Sequence, residues 1–337
     1  MEWRFATTLI GSLPYADPVK AVDRILDGGI TFPSWPQLPA RGYRESMYVQ
    51  TGLRLPGVVF SEEEQKITVD LGGYDPTDAY TAILSDDVDH FENPRECNAG
   101  LYELMDRDLS GFPAVKGQVT GPVSEGLQVQ DLTGRSVIYD ESYCEIVRKT
   151  VNMTARWQAR ELSERNPNVI LFFDEPSLTL LGSPFASVSP EDAVRWMNES
   201  MEGIGCHRAV HCCGNTDWGM VLSTDLDILS FDAYGYGRTL ALFPSELSSF
   251  LDRGGVVSWG IVPNSDGTDV SAEALADMLE SQIGLLEAKG IDGDKVAEQS
   301  MITPQCGLGG AEESTADRVI ALTGQVSELM RSRYGFD

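Results

Sequence analysis

The chain has 337 residues, 42% of them hydrophobic, with 52 acidic against 25 basic side chains and a formal charge of -27. That apolar share suits a globular chain able to bury a core, whereas so acidic a surface repels phosphate backbones and anionic bilayers and argues against nucleic acid or membrane as a partner. Met1-Glu2-Trp3-Arg4-Phe5 lacks the basic start of a signal peptide and six cysteines are too few for a disulfide framework at this length, so a cytoplasmic protein with reduced thiols is expected.

From the start, Ala6 to Leu13 reads as a strand running into the loop Ile10-Gly11-Ser12-Leu13-Pro14. Asp17-Pro18 then opens an amphipathic helix stopped by Gly28-Gly29. Ile30 to Phe32 leads into Pro33-Ser34-Trp35-Pro36-Gln37-Leu38-Pro39, whose prolines argue against a central strand and for a shaped loop. Over residues 54–73 two β-rich pieces flank the acidic run Ser61 to Gln65, which predicts a projecting hairpin with a solvated turn. Helical patterns follow near Thr77 to Leu84 and Asn98 to Leu109.

Ala114 to Thr120 is the next strand, ending in Gly121-Pro122. A long helix is expected from about Glu141 to Arg165, with Ile146, Thr150, Met153 and Trp157 on its core stripe. Asn168 to Phe173 is a nearly continuous apolar run, as in a strand buried on both faces, and ends at Asp174-Glu175-Pro176. Ser189-Pro190-Glu191-Asp192 is a capped helix start. Arg208 to Val210 feeds His211-Cys212-Cys213, and further strands end at Asp232, at Pro263-Asn264 and at Pro304-Gln305-Cys306. A helix from about Ser314 to Arg333 closes the chain.

About eight strands alternating with helices predict a single-domain (β/α)8 barrel, the alternative from spacing alone being a doubly wound sheet. Ser12, Gln118, Asp174, His211, Cys213, Asp232 and Cys306 all fall at or just past the carboxyl ends of strands, where a parallel barrel gathers its active site. Strand alternation turns His211 and Cys213 to one side and Cys212 to the other. One imidazole and two thiolates make a soft donor set suited to zinc, so His211, Cys213 and Cys306 are the expected ligands, with Asp232 as fourth ligand or as a carboxylate behind them. Cys97 and Cys144 are expected to be packing residues, Cys206 and His207 to lie at the far end of the barrel, and His90 at the surface. A zinc held by thiolates ionises a bound thiol, which points to alkyl transfer onto sulfur.

Ile10-Gly11-Ser12-Leu13-Pro14, Gly121-Pro122-Val123, Asp174-Glu175-Pro176, His211-x-Cys213 and Cys306-Gly307-Leu308 resemble, in order and spacing over nearly the whole chain, the catalytic carboxy-terminal barrel of cobalamin-independent methionine synthase. The resemblance implies a zinc ion that holds homocysteine thiolate for methylation, with His211, Cys213 and Cys306 as ligands. The family's glutamate ligand is replaced by the shorter Asp232. It also implies that the Ile10-Gly11-Ser12 segment holds the substrate's acid end and that Asp174 pairs with its ammonium; Gln118, at its own strand end, is a further expected substrate-binding residue. The family's folate-using members carry a second, amino-terminal barrel. With one barrel and an acidic surface here, the expected methyl donor is a methylcorrinoid, either methylcobalamin or a methylated corrinoid protein, rather than methyl-folate. His-x-Cys-Gly-Asn is also close to methylcobamide:coenzyme M methyltransferases and uroporphyrinogen decarboxylases, so transfer to coenzyme M or another thiol is the alternative reading. A non-catalytic zinc-binding barrel is a third, disfavoured by ligands so spread along the chain.

Overall fold

The computed structural model describes residues 1–336. Among the described residues ten strands form, β1 (Ala6–Thr7), β2 (Val58–Ser61), β3 (Lys66–Val69), β4 (Val115–Thr120), β5 (Gln130–Asp131), β6 (Val169–Asp174), β7 (His207–Cys212), β8 (Ile228–Phe231), β9 (Val256–Val262) and β10 (Ser300–Pro304). Seven of them make one parallel sheet in the order β1-β10-β9-β8-β7-β6-β4. Their inter-strand crossovers are helical, as parallel pairing requires.

What closes this curled sheet is the proline-rich stretch, which forms the shaped loop that its prolines predict and no regular strand. Phe32 N–H donates to Thr7 O at 2.9 Å, Lys116 N–H to Pro33 O at 2.8 Å and Trp35 N–H to Lys116 O at 3.3 Å, while Thr8 Oγ1 donates to Phe32 O at 2.7 Å. Residues 30–37 thus bridge β1 and β4 as the eighth stave of a (β/α)8 barrel. Pro33 and Pro36 have no N–H to give, which leaves isolated bonds instead of a ladder, yet proline favours the extended backbone that the stave needs.

The helices cover the barrel's outside. The 23-residue helix Glu141–Ser163 is capped by Asp140, whose side chain accepts from Tyr143 N–H, and buries Ile146, Thr150, Met153 and Trp157. The helix Pro190–Met201 starts as its Ser-Pro-Glu-Asp motif predicts, with Ser189 Oγ accepting from Asp192 N–H. The terminal helix Glu313–Tyr334 ends at Gly335, whose φ of +69° is the left-handed stop that glycine accepts without strain. The helix Pro122–Gln128, directly after β4, carries the second Gly-Pro loop of the mouth.

The barrel interior is divided by chemistry. Its lower level is an apolar cluster of Ala6, Phe32, Ala114, Ile170, Ala209, Ile228, Val256 and Met301, where each large aliphatic side chain contributes roughly 1.5–3 kcal/mol by leaving water. Two residues further along several of the same strands the inward positions become polar: Lys116, His211, Ser230 and Ser258.

β2 and β3 pair antiparallel from Val58↔Val69 to Ser61↔Lys66, and β5 joins β3 in parallel. The hairpin is therefore part of a small three-stranded sheet, with Ile67 and Val69 buried. Its acidic turn is tied down at one point, because the Glu62 carboxylate accepts from Tyr43 N–H at 2.6 Å and Arg44 N–H at 3.2 Å. Among the described residues no helix is long and apolar enough to cross a membrane.

Candidate functional site

β6, β7 and β8 bring their polar ends into register, with Asp174 opposite His211 and His211 opposite Ser230, and β9 continues the row with Ser258 opposite Ser230. Residues in register across parallel strands share a face, so this row looks into the barrel. One step beyond, Cys213 rises past the end of β7 on the same side as His211, and Cys306 arrives from the loop after β10. A ring nitrogen of His211 and the sulfurs of Cys213 and Cys306 lie within 4.8 Å of one another. Cys212 faces the opposite way and is buried in the core.

This trio fits a zinc ion. His211 Nδ1 is 3.0 Å from Ser230 Oγ, while the buried Nε2 has no hydrogen-bond partner. If Nδ1 donates its proton to the serine, Nε2 presents its lone pair to the two sulfurs, the tautomer a metal ligand needs. Tetrahedral zinc with bonds of about 2.0–2.3 Å separates such donors by roughly 3.5–3.8 Å, within the 4.8 Å that encloses all three donor atoms. The neighbouring Cys306 thiol and His211 ring pull the Cys213 thiol well below its ordinary range, and the hydrogen bond to Cys213 and then burial push Cys306 up.

Asp232 is placed differently from the three. It caps the short helix Ala233–Tyr236, its Oδ1 accepting from Gly235 N–H at 2.7 Å, and its Oδ2 accepts from Gln305 Nε2 at 3.3 Å. Its carboxyl is raised by burial, against the Gly235 N–H, and further raised by the Cys213 charge. It therefore belongs to the same lip of the barrel but not to the gathered donor atoms.

The loop after β1 is stitched to the loop that carries Cys306. Ser12 Oγ accepts from Gly309 N–H at 3.1 Å, and Ser12 O accepts from Leu308 N–H at 2.8 Å. Gly307 sits so close that a Cβ there would lie 2.2 Å from Ser12 Oγ. Gln118 Nε2 donates to Trp35 O at 2.9 Å, joining β4 to the eighth stave beneath Gly11. Asp174 is buried, with Oδ1 unpartnered; burial raises its carboxyl, opposed by Lys116 and His211.

Three groups escape the sequence reading. Lys116 is fully buried inside the barrel; its Nζ donates to Ile10 O at 2.6 Å and Gln118 Oε1 at 2.9 Å and stands 4.3 Å over the Phe172 ring. Burial pulls it down to about 7, against the attraction of Asp174. The signal was available, since the strand Val115–Thr120 is buried along its whole length and yet carries a lysine. Glu175, beside Asp174 in sequence, turns away and accepts from Val123 N–H, Ser124 N–H and Ser124 Oγ, locking the Gly121-Pro122 loop. Burial lifts it to about 7 despite those bonds. Ser230 orients His211 and had no local mark. As expected, Cys97 and Cys144 are buried core residues, and His207 lies at the far end of β7 against Trp3.

No family model matches the chain, and no curated protein matches it by sequence. Solved structures do match. A B12-independent methionine synthase from Shewanella sp. W3-18-1 in complex with selenomethionine superposes with a TM-score of 0.62 at 17% identity, covering 98% of both chains. A putative vitamin-B12 independent methionine synthase from Listeria monocytogenes gives 0.59 at 12% identity, over 97% of this chain and 98% of that one. A methyltransferase from Methanosarcina mazei gives 0.59 at 14%, over 97% and 94%. The chain shares the barrel fold of these proteins from end to end.

Proposed function

We propose that the protein is a zinc-dependent methyltransferase that methylates the thiol of homocysteine to give methionine, with a methylcorrinoid, free or protein-bound, as donor. The observation that carries the reading is the His211–Cys213–Cys306 trio at the mouth of the barrel, with buried Asp174 beside it. Zinc bound by that trio would hold the substrate sulfur as a thiolate at neutral pH. His211 is oriented by Ser230, and Asp174, opposite His211 in register, receives the substrate ammonium through its free Oδ1. The Ile10-Gly11-Ser12 backbone, with Gln118 beneath it, takes the carboxylate. Asp232 is the carboxylate at the lip to which the thiol proton passes, its Oδ2 held by Gln305. The sulfur–methyl bond then forms as the bond from methyl to donor breaks, with the electron pair leaving on the donor. The formal charge of -27 disfavours a polyglutamylated folate and suits a less anionic donor.

A second reading, methyl transfer to 2-mercaptoethanesulfonate, draws support from the buried Lys116 cation, which would attract a sulfonate; Asp174 speaks against it, because that thiol has no ammonium to pair. The test is zinc stoichiometry followed by turnover of homocysteine or 2-mercaptoethanesulfonate with methylcobalamin or methyl-folate. About one zinc per chain and methionine formed from methylcobalamin are expected. Product from methyl-folate alone refutes the donor assignment, and turnover of the sulfonate alone replaces the substrate.

A further inference from the structure

Lys116 is a fully buried cationic side chain inside the barrel, and methyl transfer to homocysteine does not by itself require it. It lies on β4 at a position paired with Ser34 of the eighth stave. Its Nζ reaches across to Ile10 O, the first carbonyl of the loop that would take the substrate's acid end. A trans peptide carries C=O and N–H antiparallel, so holding Ile10 O turns the Gly11 N–H to the side away from Lys116. A cation at the oxygen end of that peptide also strengthens the positive end of its dipole, an effect that grows in a low-dielectric interior. The second bond of Lys116, to Gln118 Oε1, fixes the Gln118 amide so that its Nε2 stays on Trp35 O. The same ammonium thus anchors β4, the loop after β1 and the eighth stave at one point. Asp174 lies on the neighbouring strand with an unpartnered, buried oxygen. The barrel interior therefore holds a buried cation and a buried anion whose bonding capacity is not spent on each other.

We propose that Lys116 is the positioning residue for the acid end of the substrate: by fixing and polarising the Ile10–Gly11 peptide opposite Asp174, it makes the site select a zwitterion, an α-amino acid, over an amine or an acid alone. This rests on the methionine-forming reading and adds to it the group that confers carboxylate selectivity. Nothing in the motifs that mark the site includes Lys116.

The experiment is calorimetric titration of the zinc-loaded full chain with L-methionine and with L-methioninol, which lacks only the carboxylate. Wild type should bind methionine about 10- to 100-fold more tightly, the range of a charge-assisted hydrogen bond. In Lys116→Met that preference should shrink to about twofold, while methioninol binds as in wild type. Lys116→Gln, which can still donate to Ile10 O without a charge, should be intermediate and guards against a folding defect in the first variant. A preference for methionine that survives in both variants overturns the role of Lys116. Failure of wild type to bind either compound, with uptake of 2-mercaptoethanesulfonate instead, removes the amino-acid reading itself and this inference with it, and wild type alone reveals it.

Discussion

Replacing Lys116 by methionine should change stability in a way that depends on pH, and the structure sets the size of the change. The ammonium is fully buried and burial pulls its pKa from 10.5 to about 7. A cation whose folded pKa is depressed binds fewer protons in the folded than in the unfolded chain between those two values, so folding stability rises with pH from about 7 towards 10.5. Each pH unit in that window is worth about 1.4 kcal/mol, so wild type should gain about 4 kcal/mol between pH 7 and pH 10 from this group. Methionine fills similar volume without a charge and removes that slope. It also leaves Ile10 O and Gln118 Oε1 without their donor, a cost of about 1–3 kcal/mol each that is the same at every pH. The difference between variant and wild type should therefore favour the variant most below pH 7 and shift towards wild type by about 4 kcal/mol by pH 10. Urea unfolding of both proteins at several pH values gives the difference directly, and groups titrating identically in the two cancel. A difference that stays flat from pH 6 to 10 would show that Lys116 is not a desolvated cation, and the electrostatic argument built on it would fail.

Ser230→Ala should leave the fold intact but release His211 Nδ1, lowering zinc affinity about 10- to 100-fold, read by competition with a chromogenic chelator; unchanged affinity would mean that the serine does not set the tautomer. Glu175→Gln tests the carboxyl that locks the Gly121-Pro122 loop. Its folded pKa is raised from 4.5 to about 7, so wild type loses stability as pH climbs through that interval, by about 3 kcal/mol. The Gln variant should lack this loss, visible as a difference in melting temperature that grows from pH 5 to pH 7.5. Gly307→Ala places a methyl 2.2 Å from Ser12 Oγ, so the Ser12 hydroxyl must leave Gly309 N–H or the Cys306 loop must shift, and either change loosens the joint between the two loops. Zinc content should fall while far-ultraviolet dichroism and overall unfolding stay close to wild type; full zinc occupancy would show that the two loops are not rigidly joined.

The pattern of alternating strands and helices, and with it the (β/α)8 barrel, was legible because periodicity is a local property: backbone stereochemistry turns every second strand residue the same way. That rule alone separated His211 and Cys213 from Cys212. It also placed Cys306 at a strand end, where a parallel barrel gathers such residues. The proline-rich stretch is no regular strand, as its prolines predict, but its part in closing the wall has no local mark. Proline weakens a ladder wherever it stands, but a few isolated hydrogen bonds on each side are enough to close the wall when β1 and β4 already hold the two edges. The burial of Lys116, the orientation of His211 by Ser230 and the turning away of Glu175 belong to the tertiary structure. A side chain's surroundings depend on which strands curl together, and a lysine that would be solvated on an open sheet becomes a desolvated charge only once the eighth stave shuts water out.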